Sequence, residues 1–414
     1  MTEAERLFNE LRELSHDGEG VTRETYGPRE TAAMDLITKT AMDAGLATGT
    51  DDAGNRYVIL RGEDTLLPEV WCGSHLDSVP CGGNYDGAAG VVAGLLAMIK
   101  MRNGHKRTVR LVMLRGEESA WFGKCYLGSL GLFGKLTATD LGRLRRGDGV
   151  LSGPEKDLSV YMTQAGAAPD VLAKGLPLIK PGEISAFLEL HIEQGPVLEQ
   201  GDIPLGIVTG IHGNVRYEVT CRGEGGHSGT VPMLMRHDPV MALADLLAVL
   251  RLKATAAPFT DMVLTAGRVH TDASRDAVSI IPDVVKFSLE WRSLDDEQLT
   301  AFTDTALSVA GAIAKRHGVH FDFGKETRTE PAQMDYGLRD LLDRQCQKVG
   351  VARRDIPSGA GHDAAVFAAE GVPTAMLFVR NQNGSHNPKE AMRMDDFEKG
   401  VEVLEAALTA LAAK

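Results

Sequence analysis

The sequence has no long hydrophobic run, few cysteines and a deficit of positive charge. Its longest apolar stretch, Val91 to Ile99, falls far short of the roughly 20 residues that span a bilayer, so no membrane partner is expected. Glu3, Glu5, Arg6 and Glu10 interrupt any apolar core of a secretory signal, and Leu7, Leu11 and Leu14 instead mark one face of an amphipathic helix. The five cysteines (72, 81, 125, 221, 346) are odd in number and form no C-x-x-C pair. They read as small buried hydrophobes in a reducing, cytoplasmic compartment. Against 57 Asp+Glu stand only 44 Lys+Arg, a net charge of −13, which excludes nucleic acid and anionic lipid as partners. There is no Gly-x-Ser-x-Gly elbow of a serine hydrolase. Gly223-x-Gly225-x-x-Ser228 lacks the later acidic residue of a dinucleotide site. What is present is 43% hydrophobic and 24% charged residues over 414 positions, an ordinary globular composition with room for two or three domains. Glycine (46) and histidine (12) are both prominent.

From the start to about residue 208, short apolar runs alternate with helical patterns. Val70-Trp71-Cys72, Val109 to Leu114 and Phe187 to Leu190 predict buried strands, and Val91 to Met101 a helix beside them; such alternation builds an α/β sheet. The pattern then changes. Arg216 to Cys221 reads as a half-exposed strand and Asp238 to Leu252 as a helix. Met262 to Val269 and Val284 to Trp291 read as strands, Glu297 to Arg316 as a helix, and His320 to Phe323 as a last strand. This β-α-β-β-α-β order is ferredoxin-like, and it would occupy 209–325 as an inserted α+β unit. Residues 1–208 and 326–414 would then form one α/β domain interrupted by a smaller one. In the second segment Gly337 to Val349 is helical and Ala375 to Val379 a buried strand. Asp395 caps a final helix with Phe397, Val401, Leu404, Leu408 and Leu411 on one face.

Potential metal ligands follow directly on four of the predicted strands. Val70 to Cys72 leads to Gly73-Ser74-His75-Leu76-Asp77 and on to Gly83-Asn84-Tyr85-Asp86-Gly87. Val109 to Leu114 leads to Gly116-Glu117-Glu118, Phe187 to Leu190 to His191-Ile192-Glu193-Gln194-Gly195, and Ala375 to Val379 to Ser385-His386-Asn387-Pro388. Open α/β sheets bind ligands at the carboxyl ends of their strands, so these clusters should converge. Taken singly, a His-x-Asp pair is usually a hydrogen-bonded surface or core feature, and adjacent glutamates a solvated face. Taken together, three imidazoles and at least two carboxylates suit a pair of divalent transition ions, which one carboxylate can bridge and which make bound water nucleophilic.

These motifs, with Gly226-His227-Ser228-Gly229 in the inserted segment, resemble the amidase/hydantoinase/carbamoylase family of N-carbamoyl-L-amino-acid hydrolases, β-ureidopropionases and allantoate amidohydrolases. That family lies within the aminoacylase-like dinuclear metallohydrolases. The resemblance spans nearly the whole chain and implies a mixed-sheet catalytic domain of the zinc-exopeptidase type with a dimerisation (lid) domain. It implies that His75, Asp86 and His191 hold one divalent ion and that Asp86, Glu118 and His386 hold a second, with Asp86 bridging. The ions could be zinc, manganese, cobalt or nickel. Glu117 becomes the general base and Asp77 the partner that orients His75. His227 polarises the scissile carbonyl, reaching the site from the other subunit of a homodimer made through the inserted domain. Arg292 grips the substrate carboxylate, and Gln194, Arg216, Ser279 and Gly361 fall among the substrate contacts. His212 and His362 lie nearer the site than the remaining histidines but carry no assigned role. His16, His105, His237, His270, His317 and His320 are expected to be mostly solvated.

The expected reaction is hydrolysis of a linear C–N bond in a small anionic ureido acid, giving amino acid, carbon dioxide and ammonia. An N-acyl amino acid or dipeptide hydrolase with the same metals, and a non-catalytic metal-binding scaffold, are the alternatives. The chain departs from the family pattern in three places. Ser279-Ile280-Ile281-Pro282 replaces Asn-x-Ile/Val-Pro, Gly116-Glu117-Glu118-Ser119-Ala120-Trp121-Phe122 replaces Asp-Glu-Glu-Gly-x-Arg-Phe, and the loop before His386 is shorter. Trp121 accordingly suggests a more apolar or aromatic side-chain pocket.

Overall fold

The computed structural model describes residues 1–101, 104–147, 153–259 and 261–413. In chain order its strands begin with β1 (Ala47–Thr50), β2 (Arg56–Leu60), β3 (Glu69–His75), β4 (Val109–Leu114), β5 (Ile184–Ile192) and β6 (Leu205–Ile211). There follow β7 (Gly213–Arg222), β8 (Gly226–His227), β9 (Val263–Thr265), β10 (Val269–His270), β11 (Ile280–Ile281), β12 (Val284–Ser293), β13 (His320–Asp322) and β14 (Thr327–Thr329). Then come β15 (Ala332–Gln333), β16 (Arg353–Ser358) and β17 (Thr374–Val379), and a short antiparallel pair, β18 (Asn381–Gln382) with β19 (Ala391–Met392), ends the series. The chain divides into two compact units, one of Met1–Thr209 with Gln333–Lys414 and the other of Gly210–Ala332. The return to the first unit comes later than residue 326 because β14 still pairs with β7, Thr327 opposite Arg216.

The first unit is built on a mixed sheet in the order β1-β2-β4-β3-β5-β17-β6-β15, with β16 beside β6. Its four central strands, β4, β3, β5 and β17, are parallel neighbours, and β2 and β6 flank them antiparallel. Parallel strands are covered on both faces, which is why β3, β5 and β17 are buried almost without interruption and mostly apolar. The helix Ala88–Lys100 is buried on every side from Ala88 to Met98, packed between the sheet and the helix Met394–Ala412. The parallel strands share one carboxyl edge, and from it emerge His75, the Gly116–Glu118 turn, His191 and the loop to His386.

The second unit is an antiparallel sheet in which β13 pairs with β7, β7 with β12, and β12 with both β9 and β10. The helices Pro239–Ala254 and Asp296–His317 pack on it around a core of Val219, Leu243, Leu246, Phe287, Trp291 and Phe302. β8 and β11 form a separate two-stranded ribbon.

Several expectations are corrected. The first helix buries Ala4, Leu7, Phe8, Leu11 and Ser15, while Leu14 is 42% exposed, because the buried stripe is centred on Ala4, Leu11 and Ser15 and Leu14 falls beyond its edge. Met262 to Val269 is not one strand. It splits into β9 and β10 around Gly267, where the Arg268 carbonyl accepts the Ser288 N–H and the Arg268 N–H donates to the Ser288 hydroxyl. The last helix starts at Met394, with Arg393 at the N-cap. Asp395 therefore lies inside the first turn, where a carboxylate still complements the helix dipole. Cys72, Cys221 and Cys346 are buried, but Cys81 is exposed and Cys125 half-buried. His105 is buried, and His317 is half-buried with Nε2 2.8 Å from Asp245. Trp121 belongs to a packed cluster with Phe122, Leu141, Tyr161 and Met162, so it fills a core rather than a substrate pocket. Its indole N–H donates to the Ser78 carbonyl at 2.8 Å. Among the described residues no helix is long and apolar enough to cross a membrane.

Candidate metal centre

At the carboxyl edge of the first unit, Asp86 stands between two groups of donors. Its Oδ1 lies 3.6 Å from His75 Nε2 and 3.2 Å from His191 Nε2. Its Oδ2 lies 3.3 Å from His386 Nε2, which is itself 3.3 Å from Glu118 Oε1. Ions of the zinc type hold nitrogen and oxygen ligands at about 2.0–2.2 Å, so two donors of one tetrahedral ion stand roughly 3.3–3.6 Å apart. The four contacts, at 3.2–3.6 Å, are close to that spacing, and each oxygen of one carboxylate faces one set.

The imidazoles are oriented for this task. His75 Nδ1 is 3.1 Å from the Asp77 carbonyl and His191 Nδ1 is 2.9 Å from the Ile192 carbonyl, which turns each Nε2 toward Asp86; that of His191 also lies 3.1 Å from the Gly87 N. Gly87, next to Asp86, has φ +64. A Cβ there would lie 2.4 Å from His75 Nε2, so only glycine leaves room for that ring. Asp77 is fully buried and accepts the N–H of Glu117 on Oδ1 (3.1 Å) and that of Glu118 on Oδ2 (3.2 Å). It thereby ties His75 to the Glu117–Glu118 turn.

Glu117 Oε2 lies 4.0 Å from His75 Nε2. Burial pushes the Glu117 carboxyl well above the usual range, with His75 opposing and Glu118 and Asp363 adding to the rise. Burial likewise raises Glu118. For Asp86 burial acts in the same upward sense, but hydrogen bonds from His191 and His386 and the charge of His75 outweigh it and hold the carboxyl well below the usual range. Hydrogen bonds to Asp86 and Glu118 bring His386 up to about 10.

Gln194 joins this cluster by donating from Nε2 to Asp86 Oδ2 at 2.8 Å. Gly361 lies against the Tyr126 hydroxyl: a Cβ there would be 1.8 Å from the phenol oxygen. His227, Arg216, Ser279 and Arg292 belong to the second unit. His227 is exposed on β8 opposite Ile280, and its Nδ1 accepts the Gly229 N–H at 3.1 Å. Ser279 is exposed one residue before β11, its carbonyl taking the Ser228 N–H at 2.9 Å. With Gly226, Thr271, Arg275 and Asp283 these two line one cavity. Arg216 and Arg292 face Glu290, which accepts from Nε of each, at 2.6 Å for Arg292.

Residues to which the sequence reading gave no role also shape the centre. Glu390 accepts the N–H groups of Tyr85 (2.7 Å) and Asp86 (3.2 Å) and lies 2.6 Å from the Ser385 hydroxyl, so it fixes the Asp86 loop. His362 packs edge-on against His191, with ring centres 4.5 Å apart, and its Nε2 is 2.9 Å from Ser358 Oγ. Glu390 sits in a polar run with no distinctive spacing, whereas His362 was placed near the site without a role and Asp363, directly after it, could have been found from the same loop.

An α/β unit that gathers such donors at the carboxyl edge of its parallel strands is a metallohydrolase. The chain belongs to peptidase family M20/M25/M40, whose model matches residues 71–410. It is similar to an N-carbamoyl-L-amino-acid amidohydrolase of Pseudomonas sp. (strain NS671), 32% identical over 97% of this chain and 96% of that protein. It is also similar to an allantoate amidohydrolase of Bacillus subtilis (strain 168), 35% identical over 96% of this chain and 94% of that protein. Among solved structures, an amidase of the hydantoinase/carbamoylase family from Burkholderia multivorans superposes with a TM-score of 0.87 at 28% identity, covering 100% of this chain and 98% of that one.

Proposed function

We propose that the protein is an amidohydrolase that cleaves the linear ureido C–N bond of an N-carbamoyl amino acid or related ureido acid. The observation that carries this reading is Asp86, whose two oxygens face two separate donor sets. The similarity to amidohydrolases of ureido acids along the whole chain supports the substrate class. His75, Asp86 and His191 would hold one divalent cation, and Asp86, Glu118 and His386 the other. Their nitrogen and oxygen donors suit zinc, manganese, cobalt or nickel. Such cations activate water and polarise the carbonyl.

The chain's own groups do the rest. Glu117 takes a proton from the attacking water and delivers it to the leaving nitrogen. His227 accepts the Gly229 N–H at Nδ1, so its neutral ring carries the proton on Nε2 and can donate to the carbonyl oxygen as charge develops there. Arg292, its Nε fixed by Glu290, binds the substrate carboxylate. Arg216, Ser279, Gln194 and Gly361 complete the substrate contacts, and Asp77 orients His75. One water is consumed: the ureido group leaves as carbon dioxide and ammonia, and the amine is freed.

The strand order β13-β7-β12-β9 with two helices supports reading the second unit as a ferredoxin-like lid. We assign to it the contact of a homodimer in which His227 serves the partner's site. Five cysteines outside any disulfide among the described residues support a reducing, cytoplasmic setting.

Ammonia release over a panel of ureido and N-acyl amino acids tests the function. Turnover of ureido acids is expected, and release of amine from acyl substrates alone would refute the substrate class. Glu117→Gln should retain its cations and lose about 10²–10⁴-fold in kcat. Mixed His227→Ala and Glu117→Gln subunits should regain part of the activity, and no regain despite subunit exchange would refute action in trans.

A further inference from the structure

We propose that the buried Glu30–Arg115 ion pair positions the catalytic turn Gly116–Glu118, with Glu30 acting as a positioning residue for Glu117; this rests on Glu117 being the general base. Glu30 lies in the first turn of the helix Pro28–Asp43, and Arg115 directly follows β4. Both side chains are 0% exposed, and Arg115 Nη1 is 2.6 Å from Glu30 Oε2. Arg115 also donates from Nε to the Gly54 carbonyl (3.0 Å) and from Nη1 to Thr31 Oγ1 (3.0 Å), while its backbone N–H is held by Asn55 Oδ1 (3.0 Å).

The other Glu30 oxygen, Oε1, accepts the Gly116 N–H at 3.2 Å. Glu117 and Glu118 give their N–H groups to Asp77. Three consecutive amides of one turn thus each meet a buried carboxylate oxygen, two from Asp77 and one from Glu30. Thr25 joins the two supports. Its hydroxyl donates to Asp77 Oδ2 at 2.5 Å, and its methyl would be 2.6 Å from a Cβ at Gly116, whose φ is +65. A buried ion pair that served stability alone could be exchanged for apolar side chains at little cost. The contact to the Gly116 amide has no such substitute, because the turn that carries Glu117 would lose one of its three anchors.

The test compares wild type, Glu30→Met, which removes the acceptor of the Gly116 N–H, and the apolar double variant Glu30→Met/Arg115→Met, which keeps the proposal testable if the single variant fails to fold. Arg110→Met is the control, since Arg110 pairs with Glu69 at the opposite end of β4. Measured are kcat and KM on a ureido acid, thermal midpoint, and hydrogen exchange of the Gly116–Glu118 amides. Misplacing a reacting group by about 1 Å lowers rates by about 100-fold. The folded Glu30 variants are therefore expected to lose about 10- to 100-fold in kcat with KM nearly unchanged, and to exchange faster at the turn. Arg110→Met should lower the midpoint and leave both other readouts as in wild type. A Glu30 variant that loses only thermal stability, or raises KM without lowering kcat, overturns the proposal. If wild type turns over no ureido acid, the proposed function fails separately, and unchanged exchange at the turn overturns the positioning role by itself.

Discussion

Gly87→Ala is a one-methyl perturbation of the metal centre. The new Cβ would stand 2.4 Å from Nε2 and 2.5 Å from Cδ2 and Cε1 of His75. Ordinary contact begins near 3.4 Å, so ring or backbone must give by about 1 Å. The ring is 1% exposed and held through Nδ1 at the Asp77 carbonyl, so it has little room to retreat. A shift of that size moves Nε2 out of the 3.6 Å spacing from Asp86 Oδ1 that suits a shared cation. The backbone adds its own cost, because Gly87 has φ +64 with ψ −46, outside the left-handed helical region that other residues occasionally adopt. Gly350→Ala is the control for a positive φ without a clash, since Gly350 has φ +74 and ψ 29 and a Cβ there meets nothing within 4 Å. Metal content, kcat and thermal unfolding of both variants separate the effects. Both should lose stability, Gly87→Ala the more, and Gly87→Ala alone should lose a cation and about 100-fold in kcat. Full metal content and wild-type turnover in Gly87→Ala would refute the placement of His75 as a ligand.

Trp121→Ala should destabilise the fold by about 3–5 kcal/mol, as for other buried aromatics, without changing the ranking of substrates by side chain; a changed ranking in a folded variant would return Trp121 to the pocket. Exhaustive chelation should abolish turnover, and restoring a cation at 100 times its Kd should raise unfolding free energy by about 2.7 kcal/mol per site. Activity that survives removal of all metal would contradict a metal-dependent mechanism. A thiol reagent should label Cys81 first in the native protein. Burial pushes the thiols of Cys72 and Cys221 up to about 12 and that of Cys346 up to about 11, so these should react only on unfolding. Native labelling of Cys72 as fast as Cys81 would contradict the packing of β3.

Much of the fold was legible because parallel strands buried on both faces must be continuously apolar. Val109 to Leu114 has the same bounds in sequence and structure. The donors of the metal centre were legible because each follows such a strand, and the sheet then carries them to one edge. What escaped was set by tertiary pairing. Nothing near Glu30 or Arg115 announces a partner 85 positions away, and Glu390 reaches Asp86 from 304 positions along the chain. Trp121 was misjudged for a related reason: whether an indole lines a pocket or fills a core depends on Phe122, Leu141 and Tyr161 folding over it. Met262 to Val269 shows the limit of pattern alone, since its apolar residues continue through the break at Gly267.

The most direct measurement is anomalous diffraction from crystals of the protein reconstituted with manganese. Two peaks are expected, one among His75, Asp86 and His191 and the other among Asp86, Glu118 and His386, with one oxygen of Asp86 on each. A single peak, or peaks that leave Asp86 uncoordinated, would contradict a carboxylate shared by two cations.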